Sequence, residues 1–101
     1  MVEIRNCSEK QLNSWRPSRL GAYYMNTYLI MNQGSNSHAE EELKKTEKVM
    51  RGKSLEDNVY LLKEIERQKF QFRISGNNEE ARTITQMEKR FYDNVLYDSL
   101  K

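Results

Sequence analysis

Through the last two thirds of the chain, side chains suited to burial recur at steps of three and four residues. Ala39, Leu43, Thr46 and Met50 fall on one narrow face. Leu55, Val59, Leu62 and Ile65, extended by Phe72, fall on a second, and Ala81, Ile84, Met87, Phe91 and Val95 form a third. A period near 3.6 lines such residues along one stripe of an α-helix, which needs a neighbour to cover it. Local start and stop signals cut the pattern into separate helices. Ser37 and Glu40 form a capping box, the hydroxyl and the carboxylate each satisfying a backbone N–H at the helix start. Gly52 and Gly76 stand where helices end in a left-handed residue. Ser54, and Asn77 or Asn78, head the helices that follow, with Glu79 and Glu80 placed to complement the positive end of the last helix dipole. Pro17 suits a first helical turn and pushes Arg16 out of helical angles, so a break falls between them. Ser8 caps a short helix carrying Leu12 and Trp15, Gln33 to Asn36 reads as a loop, and the alternation in residues 1–7 permits a short strand or an ordered arm. The expected fold is an all-α small helical bundle of about four helices, near 8–15, 17–32, 37–51, 54–75 and 78–100. Its short connections imply antiparallel neighbours.

With 101 residues the chain has room for a single domain over 1–101, in which 1–16 reads as an arm able to dock separately. One cysteine excludes an intrachain disulfide framework and a thiolate zinc site, and one histidine excludes a multi-histidine metal centre. No cofactor is expected. The longest apolar stretch, Leu20 to Met31, contains Asn26 and Thr27 and is too short to span a bilayer. The segment Met1 to Arg5 lacks the apolar core of a secretory signal, so a soluble, cytoplasmic protein with no membrane partner is expected. Net charge is +2, with signs interleaved along the chain as on solvated helix faces.

The stretch Leu20 to Met31 carries apolar residues round nearly its whole circumference. Such a helix is either the centre of the bundle or partly turned toward another chain. Tyr, Trp and Arg are enriched at protein interfaces, which makes Trp15, Arg16, Arg19, Tyr23 and Tyr28 the candidate partner-binding residues. His38 and Glu42 share a helix side, but two ligands do not hold a metal, and His38 reads as solvated. Cys7 reads as a small packing residue. The many carboxylates read as solvated partners of nearby bases, as Glu40 with Lys44 and Glu41 with Lys45. No glycine-rich phosphate loop, GxSxG or HExxH is present, so no catalytic residue is assigned. The two helices joined through Arg51-Gly52-Lys53 resemble a helix-turn-helix in outline. Glu56 and Asp57 at the start of the second would be repelled by phosphates.

Gly76-Asn77-Asn78-Glu79-Glu80-Ala81 resembles the turn of a tetratricopeptide-type hairpin. No second copy follows at a period of about 34 residues, so the resemblance implies a capped hairpin and nothing more. The functional expectation is a non-enzymatic protein that binds another protein or itself, as a homo-oligomer or as an adaptor or inhibitor. A composition rich in Asn, Lys and Tyr fits a phage or mobile-element accessory protein. The alternative is a nucleic-acid-associated factor holding phosphates through Lys10, Arg16 and Arg19 with tyrosine stacking.

Overall fold

Ser8 and Ser54 both sit in extended backbone with their hydroxyls accepting from the amide three residues on, Gln11 and Asp57 respectively. These caps open two of five helices in a computed structural model that describes residues 8–34 and 37–97, apart from the side chain of Ser37. The helices are α1 (Glu9–Asn13), α2 (Pro17–Gln33), α3 (Ser37–Arg51), α4 (Leu55–Ile74) and α5 (Asn78–Phe91), followed by one π-helical turn at Tyr92–Leu96. The fold is all-α, with no strand among the described residues. The expected alternation in residues 1–7, Cys7, the Ser37 side chain of the capping box and the Ser35-Asn36 part of the loop lie outside the described residues.

Pro17 occupies the first turn of α2, and Arg16 before it is extended, as the proline ring requires. The α2 helix is the hub: it packs against α3, α4 and α5, while α1 lies on α3 and α5 lies on α4. Leu20, Tyr24 and Met25 of α2 meet Leu43 and Met50 of α3, Leu61 and Ile65 of α4, and Ile84, Met87 and Phe91 of α5 in one core. Leu12 of α1 is fully buried in the same cluster. A Cβ on Gly21 would stand 3.2 Å from both Cγ and the carbonyl oxygen of Leu61, so its absence lets α2 and α4 approach closely. The narrow faces expected for α3 and α5 are the buried ones.

Four expectations are corrected. In α4 the inward residues are Asn58, Leu61 and Ile65, whereas Leu55 and Val59 are exposed and Leu62 and Phe72 are half-buried. The close approach at Gly21 selects the Leu61 side, and the Asn58 amide donates to the Met50 carbonyl at 3.0 Å, tying α4 to the end of α3. Gly52 is not left-handed; Gly76, with φ of 82°, is the one glycine with positive φ among the described residues. At Gly52 the chain leaves α3 through backbone bonds from Gly52 to Val49 and from Lys53 to Met50, which need no left-handed residue. At Gly76 a complete Schellman motif forms, Gly76 N–H to Arg73 and Asn77 N–H to Phe72. Asn77 heads α5 without a side-chain cap, because its place in that motif holds it at φ −86°, ψ 64° rather than extended. Finally, the last helix does not run unbroken: the Tyr97 N–H reaches the Tyr92 carbonyl at 2.8 Å, and this wider turn buries Val95 and Leu96 together.

Candidate interaction surface

Trp15 ends the short α1 region half-buried, its ring edge-on to Tyr23 with centroids 5.3 Å apart. The Arg19 guanidinium lies over the Trp15 ring at 4.2 Å, a cation–π stack one turn along α2. Tyr23 then donates its hydroxyl to Glu42 at 2.8 Å, and Lys45 closes on the other Glu42 oxygen at 2.6 Å. Three of the candidate binding residues, Trp15, Arg19 and Tyr23, are thus brought together. Arg16 precedes α2 beside them without a side-chain capping bond, bordering a cleft of about 510 Å³ that Trp15, Arg19 and Gln11 also line. Tyr28 is not part of this cluster; five residues beyond Tyr23 it points about 140° away and packs half-buried against the core. Lys10 is exposed on α1 and does not line that cleft.

Beneath the aromatic cluster lies a buried ionic network. Glu47 is 2% exposed and accepts from the Tyr24 hydroxyl at 2.6 Å, from Arg90 Nε at 2.7 Å and from Asn94 Nδ2 at 3.2 Å. Arg90 also forks onto Glu40 with two bonds of 3.0 and 3.1 Å. Burial pushes the Tyr24 phenol above its ordinary 10, and the adjacent Glu47 charge pushes the same way. For Arg90, burial opposes the charge, but the bonds it donates to Glu47 and Glu40 outweigh it and hold the guanidinium above its usual range. The Arg90 fork holds the Glu40 carboxyl below its ordinary 4.5. A second such site joins α4 to α5, where Lys69 reaches Glu88 at 2.5 Å; burial raises the Glu88 carboxyl, and its bond to Glu66 adds to this.

These carboxylates depart from the expected solvated pairs. Glu40 is tied to Arg90 rather than chiefly to Lys44, Lys45 pairs with Glu42 rather than Glu41, and Glu42 and Glu47 are interior. His38 is half-buried rather than solvated. One signal was available: Glu42 and Glu47 lie about 70° to either side of the Ala39–Leu43–Thr46–Met50 stripe, at the border of the buried face. Consecutive tyrosines of α2 grip those two borders, Tyr23 on Glu42 and Tyr24 on Glu47. The network is a cross-tie between α2, α3, α5 and the π turn.

The outer side of α4 is different in kind. Leu55, Val59, Phe70 and Ile74 are 48%, 42%, 59% and 64% exposed along it. Between this helix and the first turn of α2 runs a second cleft, of about 480 Å³, lined by Arg16, Pro17, Tyr60, Lys63 and Arg67 among others. Among the described residues no three His, Cys, Asp or Glu side chains are grouped to hold a metal, and no helix is long and apolar enough to cross a membrane. Compared with protein families, curated proteins and solved structures, the chain matches none.

Proposed function

We propose that this chain is a small non-enzymatic helical protein that acts by binding a protein, either another chain or a copy of itself. The observation carrying this reading is the outer side of α4, where Leu55, Val59, Phe70 and Ile74 stand in solvent on one face, with Tyr60 exposed beside it. Solitary exposed apolar residues are ordinary on monomers, whereas two pairs of them on one helix face, one near each end, favour a contact surface. The Arg16–Lys63 cleft, which reaches Tyr60 and Lys63 of α4, shares Arg16 and Ser18 with the cleft that Trp15 and Arg19 line. A role as an adaptor, or as an inhibitor of a host factor of the kind phages and mobile elements encode, fits the size and composition.

The test compares immobilised wild type with a Val59→Asp/Phe70→Asp variant whose helical circular dichroism is intact. Proteins held by wild type and lost by the variant are expected; equal retention by both, or retention of nothing together with a concentration-independent monomer, overturns the reading. A second reading, nucleic-acid association, draws on Arg16 and Arg19 flanking Trp15 in one cleft. It requires DNA or RNA affinity that falls steeply with salt.

A further inference from the structure

The outer stripe of α4 is self-complementary under a two-fold rotation. Leu55, Val59, Lys63, Glu66, Phe70 and Ile74 fall within roughly 100° of one another round the helix, on the side turned away from Leu61 and Ile65. They are also symmetric about the point between Glu64 and Ile65. Leu55 lies as far before that point as Ile74 lies after it, and the same holds for Val59 and Phe70 and for Lys63 and Glu66. Glu56 and Arg73, both exposed, form a fourth such pair on the flanks.

We propose that the protein pairs with a second copy of itself through an antiparallel α4–α4 contact whose two-fold axis passes between Glu64 and Ile65. This rests on the protein-binding reading above and names the partner. In that register Val59 packs on Phe70 of the second copy and Leu55 on its Ile74. Lys63 meets Glu66 of the second copy, and Glu56 meets its Arg73. A two-fold contact is isologous, so each of these occurs twice. No two like charges of α4 stand opposite one another.

Neighbouring registers lack this property. Moving the axis onto Ile65 sets Lys63 against Arg67. Moving it onto Glu64 buries Val59 against Lys69. Like charges directly opposed are unfavourable, so charge selects the register that the apolar residues also select. A twenty-residue helix is about 30 Å long, and one helix face falls short of the roughly 800 Å² per partner of a standard interface. The dimer is therefore reversible and concentration-dependent.

Sedimentation and light scattering across a concentration series should show a mass rising from 12.1 kDa toward twice that value. Lys63→Glu should weaken the dimer by roughly tenfold, because two repulsive contacts replace two attractive ones, and Lys63→Glu with Glu66→Lys should recover it. In a Cys7→Ser background, mixed Val59→Cys and Phe70→Cys chains should form a disulfide-linked dimer on mild oxidation. Val59→Cys alone should not, since the two copies of residue 59 lie roughly 16 Å apart along the axis, beyond disulfide reach. A monomer at every soluble concentration, no rescue by the double charge swap, or equal crosslinking by Val59→Cys alone overturns the proposal. If the wild type stays monomeric yet retains a different protein that Val59→Asp loses, the second copy is overturned and the protein-binding reading stands. If it is monomeric and retains nothing, both fall.

Discussion

At the scale of single residues, Arg90 is the most consequential side chain. It stands between Glu40 and Glu47, and Glu47 is almost wholly out of water. Removing one member of a buried pair strands the other's charge, which costs about 3–5 kcal/mol, a large part of the roughly 5–15 kcal/mol that holds a small domain together. Arg90→Ala is therefore expected to unfold the protein or nearly so in a urea titration. Tyr24→Phe keeps the pair and the ring's edge contact with Phe91, and removes one hydrogen bond to a charged acceptor, so about 1.5–3 kcal/mol is expected. A milder result for Arg90→Ala than for Tyr24→Phe would show that the network is not organised round the guanidinium. The sequence carried only the place of Glu47 at the border of the buried face of α3, and nothing of its partners. Glu47 reads there as one carboxylate among many, and its cation lies 43 positions away on another helix.

At the scale of elements, the helices were legible because their limits are written in neighbouring residues. A serine three positions before an acidic residue, a proline after an extended arginine and a glycine after the last periodic residue each act within one turn. What those signals do not carry is the geometry beyond the turn. Gly52 and Gly76 look alike in sequence, yet the two chain exits differ, and the difference is measurable. At Gly76 an alanine would have to adopt a left-handed conformation, costing about 1–2 kcal/mol. At Gly52 a Cβ would meet the Val49 carbonyl oxygen at 3.4 Å, an ordinary contact, so Gly52→Ala is expected within about 0.5 kcal/mol of wild type or slightly stabilising. Thermal melts of the two variants check this; equal losses would mean that left-handedness at Gly76 is not what the turn needs. The inward side of α4 was illegible for a related reason. The helix has two apolar stripes, one through Leu61 and Ile65 and one through Leu55 and Val59, and only the close approach of α2 at Gly21 decides between them.

At the scale of the whole molecule, all-α architecture follows from periodicity, while the assignment of α1 to the body of the protein does not. From the sequence, residues 1–16 read as an arm able to dock separately, because Pro17 interrupts the chain and the helix expected near 8–15 is too short to persist alone. In the structure α1 is held at three points. Leu12 is fully buried in the common core, Glu9 lies 3.1 Å from Lys48 of α3, and the Lys53 ammonium donates to the Asn13 carbonyl at 3.2 Å. The two polar contacts are exposed and contribute little, so the apolar one decides. If α1 is part of the same cooperative unit, Leu12→Ala should cost about 2–5 kcal/mol and lower the temperature of a single transition by several degrees per kcal/mol. Trp15 fluorescence and far-ultraviolet circular dichroism should then report the same midpoint, since Trp15 senses the α1–α2 junction and the dichroism senses all five helices. An earlier fluorescence transition in Leu12→Ala, with the dichroic one unmoved, would instead make α1 an arm that detaches from an intact bundle, and the Trp15–Arg19–Tyr23 stack would open with it.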